Sequence, residues 1–374
     1  MLYRRFGKTE QMLSAFSLGG MRFLSSEENA VATVFKAVEL GINHLETAKG
    51  YGKSEEYIGA AFQAGLARQP IYLTTKIAPT ADRDSMAQLI ERSLTRLKTD
   101  YLDNLALHGL NTPQHLALVT KKDGCILAVQ EAVDAGVIRH VGFSTHGSLE
   151  LILDLIETDL FEFANVHYYY FNQRNAAAIQ RAYEKDMGVF IISPTDKGGQ
   201  LYAPPEKLKS LCQPFTPLAL NHRVLLSDPR IHTLSLGAAS PEEFAAHRTV
   251  ADQGMPLTPE EQQALERIEQ ALVELKPDLC AQCFACLPCP ENINIPEVLR
   301  LRNLALALDM MDFGQYRYNM FEKAGHWFPG TKGNRCTDCG DCLPRCPVNL
   351  AIPTLLRDAH QRLAAGERKR LWED

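Results

Sequence analysis

Cysteine is almost missing from the first three quarters of this chain. The sequence holds 10 cysteines, yet only Cys125 and Cys212 precede residue 280. A disulfide framework spread along the chain is excluded, and the two lone cysteines read as ordinary buried or surface thiols. Long apolar runs are missing too. No segment reaches the ~18 apolar residues that a membrane span needs. The opening Met1-Leu2-Tyr3-Arg4-Arg5-Phe6-Gly7 lacks the apolar stretch of a secretory signal. A cytoplasmic location without a membrane partner is the expectation. Positive charge is not in excess: 39 Lys and Arg stand against 45 Asp and Glu, a formal net charge of −6. Nothing therefore argues for nucleic acid as a partner. The dense basic run at 368–370, Arg-Lys-Arg, reads as a solvated tail. There is no low-complexity tract and no G-x-G-x-x-G turn after the first strand, which weighs against a doubly wound dinucleotide fold.

What is present is a chain of 374 residues, 45% of them hydrophobic and 22% charged. That suits a large domain with a sizeable core plus a smaller module. The first ~250 residues alternate short runs rich in Ile, Val, Leu and Phe with helical patterns. The strand candidates span 14–20, 42–48, 71–77, 102–109, 140–146, 163–169, 188–194 and 231–238. Ser25-Ser26-Glu27-Glu28 and Ser54-Glu55-Glu56 open helices with capping chemistry. Another helix ends near Thr99, and helices are expected over 148–157, 172–185 and 241–250. Eight such strands with intervening helices predict an α/β fold, a (β/α)8 TIM barrel. Leu2–Arg5 and Gln11–Leu13 around Gly7 predict a hairpin plugging its floor. The Pro/Gly-rich break at 254–259 marks the domain boundary. The barrel is placed at 1–255, a linker helix capped by Thr258 and stopped by Pro277 at 256–278, and a cysteine domain at 279–374.

That last domain carries Cys280-x2-Cys283-x2-Cys286-x2-Cys289-Pro290 and Cys336-x2-Cys339-x2-Cys342-x3-Cys346-Pro347. Runs of four cysteines are not the paired Cys-x2-Cys of zinc sites. Three cysteines at two-residue gaps wrap three corners of one cubane cluster, and the fourth, before proline, ligates the other cluster. The pattern predicts two 4Fe–4S clusters. Cys280, Cys283, Cys286 and Cys346 hold one; Cys336, Cys339, Cys342 and Cys289 hold the other. These motifs resemble those of bacterial-type two-cluster ferredoxins, except for the two-residue gap before Cys289. Helix-like stretches at 296–310 and 353–365 follow similar text, Asn294-Ile295-Pro296 and Ala351-Ile352-Pro353. A mostly helical ferredoxin-like domain is expected.

In the barrel, the C-terminal strand ends carry the string from Asn43 to Glu55, Asn-His-Leu-Glu-Thr-Ala-x-x-Tyr-Gly-x-Ser-Glu, then Thr74-Thr75-Lys76 and Leu105-Ala106-Leu107-His108. Here the chain resembles the aldo-keto reductases over residues 1 to ~250, with Val141-Gly142-Phe143-Ser144 and Ile192-Ser193-Pro194 extending the likeness. The resemblance makes Tyr51 the general acid toward a small-molecule carbonyl substrate. Lys76 would lower the phenol pKa, Glu46 would hold Lys76, and His108 would orient the carbonyl. The family has Asp where this chain has Glu46. For a nicotinamide cofactor, NADP(H) or NAD(H), the resemblance points to Ser144 and Asn165 at the carboxamide. Ser193, Lys197, Gly198 and Gly237 lie on the loops that approach the rest of the nucleotide. The usual aromatic stacker is replaced by Ile192. The stretch 236–243 lacks the Lys and Arg that bind the 2′-phosphate of NADPH in many members; Arg248 is the substitute, and NADPH is favoured. One of Tyr168, Tyr169, Tyr170 and Phe171 is expected at the substrate pocket, the rest in the core.

The resemblance thus implies an oxidoreductase that reduces aldehydes or ketones, or oxidises alcohols, coupled to or regulated by electron transfer through the clusters. A nicotinamide moves two electrons and a cluster one, so a flavin and a redox partner protein are compatible with the pairing, although no flavin fingerprint is present. The alternative is a non-catalytic nicotinamide-binding redox sensor, or a ferredoxin-type carrier with the barrel as docking platform.

Overall fold

The structure is a computed structural model in which residues 1–364 are described; the basic run at 368–370 and the end of the predicted 353–365 helix lie outside them. A hairpin opens the chain, β1 (Tyr3–Arg5) pairing antiparallel with β2 (Met12–Ser14). Eight parallel strands follow: β3 (Phe16–Gly19), β4 (His44–Glu46), β5 (Tyr72–Ile77), β6 (Leu102–Leu107), β7 (Ile138–Ser144), β8 (Phe163–Val166), β9 (Gly188–Ile191) and β10 (Thr233–Leu236). They close in the order β10-β3-β4-β5-β6-β7-β8-β9, the TIM barrel that the strand pattern predicts. Seven of the eight predicted strand windows contain an observed strand, and the eighth, 140–146, overlaps β7, which starts two residues earlier at Ile138. Most windows run past the strand at the C-terminal end, where the ladder stops and the chain turns outward. Those overhanging residues build the loops at the barrel mouth.

The hairpin fits the floor as expected. Phe6 packs with Leu13, Ala106, Phe163 and Phe190 in one buried cluster. The backbone approaches so closely that a Cβ on Gly7 would lie 2.5 Å from the Gly188 nitrogen, and Gly7 also holds a φ of +54°. Inside the barrel, His44 bonds Ser17 Oγ through Nδ1 (2.6 Å) and Thr74 Oγ1 through Nε2 (2.7 Å), so this buried ring is satisfied by hydroxyls.

The helices between the barrel strands are α1 (Glu27–Glu39), α2 (Ser54–Gln63), α3 (Arg83–Leu97), α4 (Pro113–Thr120), α5 (Cys125–Asp134), α6 (Leu149–Glu157) and α7 (Ala176–Glu184). Ser26, Asp82, Thr112 and Ser148 cap α1, α3, α4 and α6 by accepting a backbone N–H three residues on. After β9 come α8 (Glu206–Cys212) and α9 (Pro217–Leu226). The segment Pro241–Val250 is a 3-10 helix, not the α-helix its composition suggests.

The chain divides into two compact units, one of residues 1–198 with 221–256 and the other of 199–220 with 257 onward. The last crossing, between 256 and 257, coincides with the Pro/Gly break. The excursion at 199–220 is not visible in the sequence pattern. It places α8 against α10 (Pro259–Val273), where Arg267 Nε donates to Leu211 O at 2.9 Å. The predicted linker helix is therefore α10, a packed part of the second unit. Its Thr258 cap forms a full capping box with Glu261.

In the second unit α11 (Ile295–Leu308) is buried on nearly every face and packs against α12 (Met311–Tyr318) and α13 (Ile352–Leu363). Its charged side chains are paired, Arg300 with Glu297 at 2.7 Å and Arg302 with Asp358 at 2.6 Å. Among the described residues no helix is long and apolar enough to cross a membrane.

Candidate functional site

Strand alternation puts Thr74 and Lys76 of β5 on one face, and the first of them is the hydroxyl that meets His44. Lys76 Nζ donates to the carboxylate of Glu46, the last residue of β4, and to Thr47 O at 2.9 Å. Lys76 and Glu46 are both buried, 2% and 3% exposed. Tyr51 stands on the turn between β4 and α2. Its N–H donates to Ala48 O, and its carbonyl accepts from Ser54 N. Thr47 Oγ1 donates to Ser54 Oγ at 2.7 Å and fixes that turn. Lys76 Nζ lies 4.6 Å from the Tyr51 ring centroid, over its face. His108, just past β6, meets the Tyr51 ring edge-on at 5.7 Å. Glu46, Tyr51, Lys76 and His108 thus converge at the barrel mouth.

The electrostatics differ from the sequence expectation in one respect. Burial pushes the Tyr51 phenol above its ordinary value, and no lowering by Lys76 accompanies it. The geometry accounts for this. The ammonium faces the ring, and the Glu46 carboxylate neutralises it at contact distance. Burial also pulls Lys76 well below the usual amine value, which Glu46 opposes. His108 is pushed down to about 3, chiefly by burial and further by the charges of Lys76 and Lys197, so its imidazole is neutral.

Of the residues expected at a nicotinamide, Asn165 joins this centre. Its Nδ2 donates to Glu46 Oε1 at 3.5 Å, while its fully buried Oδ1 has no protein partner. Ser144 Oγ accepts from Gly109 N at 3.2 Å, at the same end of the barrel. Lys197 lies close enough to His108 to depress its pKa. Ser193 holds a φ of +51°, and a Cβ on Gly198 would come 1.9 Å from Pro194 O, so both shape the loop after β9. Gly237, past β10, accepts from Arg22 Nη1 at 2.6 Å. Arg248 sits in the last turn of the 3-10 helix, five residues beyond Glu243. At ~2 Å per residue that puts it about 10 Å from the loop it was expected to serve. Tyr168 and Tyr169 are buried.

Sequence reasoning missed Arg22, which pairs with Glu243, and the His146 and His167 rings, whose centroids are 4.3 Å apart. The position of His146 and His167 just past strands five and six was the available signal.

The cysteines gather in two sets. Burial raises Cys342, and the sulfurs of Cys336, Cys339 and Cys289 raise it further. Burial raises Cys280 as well, with Cys283 and Cys346 adding to it. Cys286 is pushed up to about 12, chiefly by burial, with Cys280, Cys283 and Cys342 contributing. Each first-three set is therefore joined by the fourth cysteine of the other motif. Cys280, Cys283, Cys286 and Cys346 line one pocket together with Ile295, Leu299 and Leu350. Among the described residues no three or more His, Cys, Asp or Glu stand close enough to hold a single metal ion. Gln282 Nε2 donates to Cys280 Sγ at 3.3 Å and Leu350 N to Cys346 Sγ at 3.4 Å, the bonds that thiolate ligands accept. These features fit a cubane cluster.

With this geometry in place, residues 15–210 match the Aldo/keto reductase family and residues 279–351 match a 4Fe-4S dicluster domain. The chain belongs to the aldo/keto reductase family. The uncharacterized oxidoreductase YqkF of Bacillus subtilis is 34% identical over 158 residues, 39% of this chain and 49% of that protein. The methylglyoxal reductase DkgB of Salmonella typhi is 29% identical over 133 residues, 35% of this chain and 48% of that protein. This aldo/keto reductase chain spans about half the length of these curated relatives. Among solved structures, the aldo-keto reductase AKR11C1 from Bacillus halodurans (holo form) aligns with a TM-score of 0.62 at 25% identity, over 71% of this chain and 96% of that one. A Klebsiella pneumoniae aldo-keto reductase in complex with NADPH aligns with a TM-score of 0.58 at 22% identity, over 71% of this chain and 94% of that one, a likeness of fold.

Proposed function

We propose that the barrel reduces the carbonyl of a small aldehyde or ketone with a reduced nicotinamide, and that two 4Fe–4S clusters in the second unit exchange electrons with a redox partner. The convergence of Tyr51, Lys76, Glu46 and His108 carries this reading. When bound, the nicotinamide supplies hydride and the clusters pass single electrons. The unpartnered Asn165 Oδ1 is a ready acceptor for a carboxamide N–H, with Ser144 beside it. Gly198 permits the close turn that brings Lys197 into the mouth, where its charge suits a phosphate.

Tyr51 remains a protonated phenol near neutrality because burial raises its pKa, so it can donate O–H to a carbonyl oxygen as that oxygen gains charge. The phenolate left behind faces Lys76, whose ammonium is held in place by Glu46 and Thr47 O. His108 is neutral, so it orients the carbonyl by a hydrogen bond without competing as an acid. The longer Glu46, in place of Asp, still reaches Lys76. Cys280, Cys283, Cys286 and Cys346 would hold one cluster, and Cys336, Cys339, Cys342 and Cys289 the other.

Tyr51→Phe is expected to lower kcat for aldehyde reduction by about 100-fold or more with nucleotide binding retained; full activity in that variant would sink the assignment. Anaerobic addition of reduced nicotinamide should also bleach the visible absorbance of the clusters if the two halves exchange electrons. An unchanged spectrum with bound nucleotide would leave the clusters as sensor or scaffold.

A further inference from the structure

The loop after β10 carries a charge pattern that the nicotinamide reading does not use. In a TIM barrel the loops after strands seven and eight, here those following β9 and β10, form the customary phosphate site. The β9 loop offers Lys197. The β10 loop, residues 237–243, offers no cation and two carboxylates, Glu242 and Glu243, in the first turn of the 3-10 helix. The guanidinium tied to this loop is Arg22, from the loop after β3. It is engaged on both edges: Nη1 and Nη2 reach Glu243 at 2.6 and 3.0 Å, and Nη1 also donates to Gly237 O at 2.6 Å. Glu243 Oε2 accepts from Ala239 N at 3.1 Å as well, which locks the loop around the pair. Glu242 accepts from Ser240 Oγ at 2.5 Å, and that bond holds its carboxyl below the ordinary value, so it is ionised near neutrality.

We infer that this loop selects NADH over NADPH, with Glu243 and Glu242 as the residues that set the preference; the inference rests on the nicotinamide reading above. A phosphate monoester carries about −1.5 to −2 charges at neutral pH. Placed here it would meet two carboxylates, and it would gain Arg22 only by displacing a bidentate carboxylate partner. A ribose carrying a free 2′-hydroxyl meets the opposite situation, because carboxylate and serine oxygens accept its O–H without cost. This reverses the preference that the sequence alone suggested. The residue invoked for NADPH, Arg248, stands at the far end of the helix, while the nearer cation, Arg22, is already neutralised.

The test is equilibrium binding to the full, cluster-loaded chain under anaerobic conditions, read by intrinsic fluorescence quenching with NADH and NADPH in parallel. NADH is expected to bind at least about tenfold more tightly than NADPH at low salt, the gap narrowing as salt screens the carboxylates. Glu243→Gln frees Arg22 and should move the ratio toward NADPH by about tenfold; the exposed Glu242→Gln, which disturbs no loop contact beyond Ser240, should move it by about threefold. Equal or tighter binding of NADPH by the unmodified protein overturns the inference, as does a ratio untouched by both substitutions. Failure of both nucleotides to bind, with iron content intact, overturns the nicotinamide reading and this inference with it.

Discussion

At the scale of the residue, Glu46 and Lys76 illustrate what burial does to a charge pair. Neither has access to bulk water, so each depends on the other, with Thr47 O and Asn165 Nδ2 as further partners. Removing one charge leaves the second buried and uncompensated. Glu46→Gln is therefore expected to destabilise the barrel by roughly 3–5 kcal/mol, visible as a lower thermal midpoint in circular dichroism. A change within about 0.5 kcal/mol would mean that the Lys76 amine is already neutral in the folded protein. The same pair explains why Tyr51 is not acidified. An ammonium whose charge is matched by a carboxylate, and which approaches the ring face, cannot hold a phenolate before the reaction creates one.

At the scale of the element, strand ends and cysteine motifs do the positioning. The barrel strands stop where β4, β5 and β6 deliver Glu46, Lys76 and the residue before His108, so a tyrosine on the next turn completes the cluster. These strings were legible as strand ends because β-rich runs give way there to turns bearing Gly, Ser or Pro. Arg22 was not legible, because its partner Glu243 is 221 residues away along the chain. In the second unit the interleaving of the two motifs makes a direct prediction. Cys283→Ser combined with Cys346→Ser strikes one cluster twice and should leave about half of the iron. Cys283→Ser combined with Cys289→Ser strikes both clusters and should lose most of it. Equal iron loss in the two double variants would contradict the crossed ligation.

At the scale of the whole molecule, buried histidines govern the response to acid. Burial holds His44 and His108 down to about 3 and His232 to about 4, and His222 well below its ordinary value. In the unfolded chain these rings protonate near ~6.5. Between roughly pH 6.5 and 4 the unfolded state therefore binds more protons than the folded one, and stability falls as pH falls, by up to about 1.4 kcal/mol per pH unit for each ring. The thermal midpoint measured anaerobically should drop steadily from pH 7 to pH 5. A midpoint that is flat or rises on acidification would show that these rings are charged in the folded protein.

The sequence by itself determined the barrel, the ferredoxin-like second module and the identity of the eight gathered cysteines. Each is written in local signals: strand-length apolar runs, capping residues and two-residue cysteine spacings. Tertiary structure decided what local pattern cannot express. It assigned residues 199–220 to the second unit, because Arg267 of α10 captures the carbonyl end of α8. It turned Lys76 toward the Tyr51 ring face and against Glu46. It also closed Arg22 onto Glu243, because a charge pair depends on distance in space, and these two meet only once the barrel brings β3 beside β10.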